Sequence, residues 1–402
     1  MPGRCFFASD HVEKPKNIGY DTSMKQNIVI QDSEEKQLLE AVTHRTDISA
    51  ERIKRCLGMP DLSRTEGSPL KVLADNVTSI KDFADFDTIV IPEVISTGIL
   101  FDLFGFAVNH PARSESDTYY VDPTHVLRTH DTVMWYYYLN HPAIKERVRK
   151  QEALGVFCYG KVYRKDEVDM YHMNVFHQMG GLYLVPDSKK TLTIDDLKDA
   201  LTKIVQTVFG KDVKFRFNRD EFPYTDPSLE VEVEINGKWI EILGGGMPKK
   251  IVLANFGLEG YNGWAFGFGL ERLAIIKMEI PDIRIFWSTD PRITKQLKNI
   301  ETKYKEVSKY PPIIRDISFV IDKTINLNHY YELVRDQAHN LIEQVELVDS
   351  YENEEKFGAG KKSYTFRITY RSLEKTLTDD QVNAIHEKII EKTKQELNAV
   401  IR

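Results

Sequence analysis

The sequence has few cysteines and no long hydrophobic run, and each absence excludes a class of protein. Its three cysteines, Cys5, Cys56 and Cys158, lie far apart and form no C-x-x-C pair. This argues against a structural zinc site and for a reducing compartment. No apolar run approaches the roughly 18 residues that a membrane-spanning helix needs, and the mean hydropathy is -0.39. We therefore expect an ordinary soluble protein that contacts no membrane.

The common phosphate-binding loops are also missing. The chain contains no G-x-x-x-x-G-K-[ST] motif and no G-x-G-x-x-G between a predicted strand and a predicted helix. A nucleotide site of the parallel-sheet kind is therefore unsupported. Any nucleotide site must be built from side chains on another kind of sheet.

Neither the net charge nor the N-terminal sequence indicates a particular binding partner or cellular compartment. The 54 basic and 61 acidic residues give a net charge of -7, which neither indicates nor excludes binding to nucleic acid, because local patches decide phosphate contact. The first residues have too short an apolar stretch for a secretory signal, and Asp10 and Glu13 come too early for an acid-poor transit peptide. We expect the cytosol, with the mitochondrial matrix as the alternative.

The sequence pattern divides the chain into three predicted regions. Residues 1–70 form an N-terminal extension, in which a loose polar lead of about 30 residues precedes two short helices that break near Asp47. Residues 71–300 are rich in strands, and Asn236-Gly237 is a strong hairpin signal. Repeated hairpins with few helical crossovers predict an α+β domain, an antiparallel sheet flanked by helices.

The third region, residues 301–402, has a different order of elements. A strand, a helix over 328–342, two strands, a helix opened by the capping box of Thr378, and a short last strand follow one another. This βαββαβ order is that of a ferredoxin-like domain.

Arg164 and Phe176 mark the two arms of a predicted hairpin. At the mouth of that hairpin the Arg164 guanidinium can hold a phosphate through two hydrogen bonds, although an exposed arginine without a ligand is the alternative. Asp166 shares its face and is equally ambiguous. Gln178 and Gly180 share the face of Phe176 in the return strand, and Phe176 itself is either a base-stacking ring or a core residue.

A second segment, residues 267–272, is glycine-rich and precedes a predicted helix. Positions without side chains let a ligand or a helix approach the backbone closely. Arg272, near the start of that helix, can cover the second face of a base that is stacked on Phe176. We interpret two arginines and an aromatic ring on an antiparallel sheet as a nucleotide site for amino-acid activation.

Together these segments resemble the signature motifs of class II aminoacyl-tRNA synthetases, with Pro92 in the first motif. The chain is still more similar to phenylalanyl-tRNA synthetases, and residues 309–402 resemble their ferredoxin-fold anticodon-binding domain. Because that domain directly follows the catalytic domain, the chain most resembles the single-chain, organellar-type enzyme. The resemblance covers roughly residues 85–402. Its segments are residues 109–113, 126–130, 176–178, 222–224, 241–247, 264–267 and 280–284.

The resemblance implies ATP, Mg²⁺, phenylalanine and tRNA(Phe) as ligands. Arg164 and Arg272 would be the catalytic arginines, which position ATP and stabilise charge while a carboxylate attacks the α-phosphate. Glu241 is a candidate Mg²⁺ ligand, with a structural carboxylate as the alternative. The residues implied to bind ATP are Arg164, Asp166, His172, Phe176 and Arg272. The residues implied to bind the amino acid are His130, Thr132, Trp135, Gln178, Gly180, Phe222, Tyr224 and Ala265.

Two positions depart from the family pattern at the amino-acid site. Trp135 stands where the family usually has Gln, and Gly180 stands where it usually has Glu. Both missing groups would accept hydrogen bonds from the substrate ammonium, and their uncompensated loss would weaken binding by roughly 2–4 kcal/mol. Two changes could compensate for the missing groups. The Trp135 indole could fill the space at Gly180. Asp131, where the family tends to have Thr, could restore the negative charge.

Arg367 and Arg371 share the outer face of one predicted strand in the C-terminal region. The resemblance implies that they contact tRNA phosphates, and the alternative is a solvated edge. We expect a monomeric ATP-dependent ligase that charges tRNA with phenylalanine. The alternatives are a paralogue that activates another amino acid, for example another aromatic one, and a tRNA-binding regulator without catalysis.

Overall fold

A computed structural model describes residues 25–307 and 310–402. Most of the predicted loose lead lies outside these residues. Where the lead is described, the prediction is wrong, because Asn27–Val29 is a strand that joins the central sheet. The two predicted helices and their break are confirmed: the side chains of Asp32 and Asp47 accept backbone hydrogen bonds at the two helix starts, which satisfies donors that a helix start leaves free.

The first 300 residues contain two sheets and their flanking helices. An eight-stranded sheet has the order β1-β2-β6-β7-β11-β10-β9-β8, and a three-stranded sheet has the order β3-β5-β4. The strands are β1 (Asn27–Val29), β2 (Asp87–Val90), β3 (Val94–Ser96), β4 (Tyr120–Asp122), β5 (His125–Leu127), β6 (Leu154–Tyr163), β7 (Val175–Pro186), β8 (Phe215–Phe222), β9 (Thr225–Ile235), β10 (Lys238–Pro248) and β11 (Tyr261–Gly269). The helices are α1 (Ser33–His44), α2 (Ile48–Gly58), α3 (Pro69–Thr78), α4 (Thr97–Leu100), α5 (Met134–Asn140), α6 (Pro142–Arg149), α7 (Ile194–Phe209), α8 (Lys250–Ala254), α9 (Leu270–Met278) and α10 (Pro291–Leu297).

The predicted α+β class is confirmed, but the central sheet is mixed. β1 pairs with β2, and β2 with β6, in parallel, whereas β6 to β11 are joined by antiparallel pairs. Parallel neighbours need a long crossover. Here the chain between β2 and β6 supplies one, since it builds the small sheet and α4 to α6 before it returns.

The two faces of the central sheet differ in side-chain size. In β11, Trp264, Phe266 and Phe268 pack in a core cluster with residues of α3, α7 and α9. By alternation along the strand, Ala265 and Gly267 point to the opposite face, where a second cluster includes residues of α5. Small residues on that face leave room for a cavity above the middle of the sheet.

The C-terminal domain, residues 310–402, has the predicted ferredoxin-like topology. Its sheet has the order β13-β14-β12-β15 and is antiparallel throughout. The predicted helix over 328–342 is too long, because His339 takes a positive φ of 48° and the chain then enters a strand. The elements are β12 (Ile313–Asp322), α11 (Asn328–Ala338), β13 (Ile342–Tyr351), α12 (Glu354–Phe357), β14 (Lys361–Tyr370), α13 (Asp379–Leu397) and β15 (Val400–Ile401).

Helix α11 attaches this domain to the loop between β6 and β7. The buried carboxylate of Glu332 accepts a hydrogen bond from the Tyr119 hydroxyl and pairs with Arg335. Arg335 also donates to the backbone oxygens of Asp166 and Glu167. A buried ion pair whose members also bond neighbouring groups is specific to one geometry, so the position of the loop depends on the C-terminal domain.

Candidate active site

A cavity of about 770 Å³ opens above the small-residue face of the central sheet. Its floor includes Gly180 of β7 and Gly267 of β11, which are direct partners in the sheet register. The predicted ATP, metal and amino-acid residues all line this one cavity: His130, Thr132, Trp135, Arg164, Asp166, His172, Phe176, Gln178, Gly180, Phe222, Tyr224, Glu241, Ala265 and Arg272. The fold thus brings them together, and their individual roles stay predictions.

The arginines at one end of the cavity have partners within the protein. The Arg164 Nε donates to the Thr129 carbonyl oxygen at 2.9 Å, and its guanidinium carbon lies 5.3 Å from the centroid of the Phe176 ring. Arg272 is paired with the Glu241 carboxylate at 3.7 Å, and about half of its side chain is exposed. Arg164, rather than Arg272, is therefore the cation that covers Phe176 here. We call this part of the cavity the arginine end.

His172 completes the arginine end with a third basic group. Its Nδ1 lies 2.8 Å from a carboxylate oxygen of Asp169. That hydrogen bond raises the pKa of His172 above its ordinary value, against the opposing effect of partial burial. A histidine in this state carries positive charge more readily near neutral pH and suits contact with phosphate.

A buried pair that the sequence analysis missed holds the two motifs in position. The backbone N–H and the Nδ1–H of His177 donate to the Glu271 carboxylate, and the His177 Nε2 accepts from the Leu62 N–H at 2.9 Å. His177 and Glu271 each directly neighbour a predicted ATP residue, Phe176 and Arg272. The pair locks β7 to α9, so the hairpin and the glycine-rich segment are positioned as one unit. Both residues belong to the quoted motifs, which is the signal that could have identified them.

The other end of the cavity is an aromatic slot. Phe222 and Tyr224 stack with centroids 6.0 Å apart, and the Trp135 ring meets Tyr224 edge-on at 5.9 Å. Phe104, which the sequence analysis missed, contacts both Trp135 and Tyr224, at 5.6 Å and 6.0 Å. Edge-to-face contacts of this kind favour a fixed ring geometry. We call this part of the cavity the aromatic end.

His130 lies at the aromatic end as a neutral ring. It stacks on Phe106 with a centroid distance of 5.7 Å and an angle of 11° between planes. Neither ring nitrogen has a hydrogen-bond partner within the described part of the chain. Burial lowers the pKa of His130 to about 3, so the ring can offer a ligand one donor and one acceptor.

Comparison with known proteins agrees with this geometry. Residues 55–297 match the family model of the tRNA synthetases class II core domain (F), and residues 308–402 match the ferredoxin-fold anticodon binding domain. The chain is 37% identical over 362 residues to the chloroplastic/mitochondrial phenylalanine–tRNA ligase of Arabidopsis thaliana, a match that covers 86% of this chain and 80% of that protein. The chain belongs to the class II phenylalanyl-tRNA synthetase family.

Other relatives include both architectures of this family. The mitochondrial phenylalanine–tRNA ligase of Mus musculus is 34% identical over 338 residues, which are 75% of this chain and 72% of that protein. The phenylalanine–tRNA ligase alpha subunit of Psychrobacter arcticus is 33% identical over 265 residues, which are 65% of this chain and 72% of that protein. The presence of the C-terminal domain within one chain confirms the predicted resemblance to the single-chain form.

The names of these relatives do not support the predicted cytosolic address, because the single-chain proteins are named mitochondrial or chloroplastic. None of the helices among residues 25–307 and 310–402 is long and apolar enough to cross a membrane.

The first of the two compensations proposed for the family's missing groups is wrong. If Gly180 carried a Cβ, that atom would lie 2.1 Å from the Asp131 Oδ2, which is the nearest atom to it. Trp135 instead packs against Phe104 and Tyr224. The space beside Gly180 is therefore taken by a carboxylate rather than by an indole.

Glu241 fits a metal-binding role only together with a substrate. Burial raises its pKa, nearby Arg272 opposes that shift, and Asp220 and Glu230 add to it. No group of three or more metal-ligating side chains occurs among the residues that the structure describes. Mg²⁺ is commonly held by one or two carboxylates together with substrate phosphates, and the position of Glu241 beside Arg272 suits that kind of site.

The two arginines predicted to bind tRNA are already paired with carboxylates. Arg367 donates two hydrogen bonds of 2.9 Å to Asp316, and Arg371 pairs with Glu343 and donates to the Tyr310 carbonyl oxygen. A phosphate would have to replace these partners. Contact of Arg367 and Arg371 with tRNA stays a prediction.

Proposed function

We propose that the protein activates L-phenylalanine with ATP and transfers it to tRNA(Phe). One observation carries the proposal: a single cavity joins an aromatic slot to a set of arginines, in a chain that belongs to this family. An apolar slot selects a phenyl ring, and the arginines suit a triphosphate. Relatives named phenylalanine–tRNA ligase support the choice of amino acid.

The chemistry follows from where the groups lie. The carboxylate of the amino acid attacks the α-phosphate, pyrophosphate leaves, and a hydroxyl of the terminal tRNA ribose then displaces AMP from the adenylate. Arg164 stabilises the charge that develops on the α-phosphate, and His172 contacts the other phosphates. Arg272 covers the face of the adenine base that is turned away from Phe176. Glu241 would hold Mg²⁺, which neutralises phosphate charge when bound.

The selection of phenylalanine depends on the aromatic end. The phenyl ring lies against Phe222 and Tyr224, and Ala265 leaves depth for it because its side chain is only a methyl group. His130, Thr132 and Gln178 contact the polar end of the amino acid. Neutral His130 adds no charge beside the substrate ammonium, which favours binding of a cation.

We also propose where the protein acts and with what. The C-terminal domain binds the anticodon end of tRNA, as the description of its family model indicates, and Arg367 and Arg371 exchange their carboxylate partners for phosphates. The protein works as a monomer in an organelle, in line with the names of its single-chain relatives.

ATP–pyrophosphate exchange with a panel of amino acids tests this function. We expect exchange with phenylalanine, followed by charging of tRNA(Phe) in a filter assay. The residues Trp135 and Gly180 favour a second candidate, a paralogue for another aromatic amino acid, and exchange with tyrosine or tryptophan alone would establish it. Binding of tRNA without exchange for any amino acid would instead indicate a regulator.

A further inference from the structure

We propose that the Asp131 carboxylate binds the ammonium group of the amino acid, in place of a carboxylate at position 180. The proposal rests on the proposed function for the nature of the ligand, and it adds the residue that recognises the ligand's positive charge. Asp131 would thus be a binding residue of the reaction, specific to the combination of residues in this chain.

The Asp131 backbone is tied to the central sheet, and one of its two carboxylate oxygens, Oδ2, has no hydrogen-bond partner within the described part of the chain. Its backbone N–H donates to the Gln178 side-chain oxygen at 3.2 Å, which ties it to β7. Only 6% of the residue is exposed. Its Oδ2 is buried, and no hydrogen-bond donor to that atom exists among residues 25–307 and 310–402. A buried carboxylate oxygen without a donor is unfavourable, so a cation in the adjoining cavity would satisfy it.

Two glycines of the sheet make room for this carboxylate. Gly180 and Gly267 are direct partners in the β7–β11 register. A Cβ at Gly180 would lie 2.1 Å from Oδ2, and one at Gly267 would lie 3.4 Å from Oδ1. The first distance is too short for any real contact. A side chain at position 180 would therefore displace the Asp131 carboxylate from the place that it occupies.

The two charged neighbours of Asp131 direct their hydrogen bonds, as far as the described residues show, to backbone carbonyl oxygens rather than to its carboxylate. The Arg128 Nε and Nη1 donate to the carbonyl oxygens of Lys161 and Ile91 at 2.7 Å and 3.1 Å. The Arg164 Nε donates to the Thr129 carbonyl oxygen. The other titratable groups that interact with Asp131, the Cys158 thiol and the Tyr224 phenol, are neutral at pH 7, and burial raises the pKa of each further above that pH.

This environment makes Asp131 sensitive to the charge of a ligand. Burial raises the pKa of its carboxyl to about 7. The backbone N–H groups of Asp131 and Thr132 and the charges of Arg128 and Arg164 offset only part of that shift. An ammonium group in contact with the carboxylate favours its ionised form. Affinity for the amino acid should therefore fall as the pH drops below about 7, where protonated Asp131 no longer attracts a cation.

Calorimetric titration of the full chain with two ligands tests the assignment. L-phenylalanine carries the ammonium group, and 3-phenylpropionate lacks it. For Asp131→Asn we expect the Kd for phenylalanine to rise about 10- to 100-fold and the Kd for 3-phenylpropionate to stay within about twofold of the wild-type value. The matched control, Asp212→Asn at an exposed position, should change neither. Equal weakening of both ligands in Asp131→Asn would mean a structural role and would overturn the proposal.

Moving the carboxylate provides a second test. Gly180→Glu alone should lose phenylalanine binding, because its Cβ meets the Asp131 carboxylate. Asp131→Ala alone should also bind phenylalanine weakly. The double variant should bind at least tenfold better than either single variant, although the Phe266 carbonyl oxygen, 3.1 Å from the new Cβ, must shift slightly. A double variant no better than Asp131→Ala would count against the exchange of positions.

The two proposals fail in different ways. If the wild-type protein activates phenylalanine and Asp131→Asn has an unchanged Kd for it, only the Asp131 assignment is overturned. If the wild-type protein activates another amino acid instead, the choice of phenylalanine is wrong, and that amino acid and its deamino analogue decide the Asp131 assignment by the same comparison. If no amino acid is bound or activated, both proposals are wrong.

Discussion

The two ends of the cavity satisfy their polar groups in opposite ways. At the arginine end each charged side chain has a partner within the protein: Arg164 bonds Thr129, Arg272 pairs with Glu241, and His172 pairs with Asp169. At the aromatic end, both ring nitrogens of His130 and one oxygen of Asp131 are buried and find no hydrogen-bond partner in the described residues, 25–307 and 310–402. One end holds partners that a ligand can replace, and the other holds polar groups that a ligand must satisfy.

This difference predicts which substitutions in the cavity change the stability of the fold and which change mainly the reaction. Buried polar groups without partners destabilise the fold by about 1–3 kcal/mol each, whereas exposed ion pairs contribute little. Substitutions at the aromatic end should therefore change both stability and substrate binding. Substitutions at the arginine end should change mainly the chemistry.

The largest expected effect is on catalysis at the arginine end. Arg164→Ala should lower kcat for pyrophosphate exchange about 100- to 1000-fold, because the charge on the α-phosphate loses a positioned donor. Urea unfolding should show a stability change of only about 1 kcal/mol, from the lost bond to Thr129. Arg219→Ala, at an exposed position, is the control. A stability loss as large as the kinetic loss would erase the contrast between the two ends.

The next effect should appear in stability at the aromatic end. Burial raises the pKa of Asp131 from 3.8 to about 7, so between these values the folded state binds more protons and stability falls as the pH rises. Above about pH 7 the carboxyl group of the ligand-free protein is ionised, and its destabilising contribution to the unfolding free energy is then at its maximum. Asp131→Asn should then raise the unfolding free energy at pH 8 by about 1–3 kcal/mol and leave it nearly unchanged at acidic pH, as measured by urea titrations at both pH values. An equal gain at both would show that charge is not the cause.

His130 should show the opposite dependence on pH. Burial lowers its pKa from 6.5 to about 3, so the unfolded chain binds more protons between these values and stability is lost as the pH falls below 6.5. His130→Asn should reduce the loss between pH 6.5 and 5 by up to about 2 kcal/mol. The slope of stability against pH is the quantity to compare, since the variant also loses its stacking on Phe106. Parallel slopes for variant and wild type would contradict the neutral buried ring.

The smallest expected effect is that of the exposed pair at the arginine end. Glu241→Gln should change the unfolding free energy by less than about 0.5 kcal/mol. If Glu241 helps to hold Mg²⁺, the variant should need a higher Mg²⁺ concentration for half-maximal exchange, whereas Glu234→Gln, which removes a comparable carboxylate paired with Lys214, should not. An unchanged Mg²⁺ requirement would favour the structural alternative for Glu241.

Local patterns predicted most of the fold. The hairpin turn at Asn236-Gly237, the capping box at Thr378 and the alternation along β14 were recognisable because each depends on neighbouring residues. The failures have a common cause. The end of α11 at His339 and the parallel pairs of β1 with β2 and of β2 with β6 depend on backbone geometry and chain crossovers that no short pattern encodes.

The sequence by itself determined the family, most of the order of elements and many of the residues that line the cavity, because motifs and periodicity are properties of short segments. Only the tertiary structure decided how those residues meet. Asp131 and Gly180 are far apart in the chain, and the contact between them exists because β7 passes beneath the turn before α5. The same holds for His177 and Glu271, and for Glu332 and Tyr119. Which carboxylate has a partner, and which one awaits a ligand, is decided by burial and distance after the chain has folded.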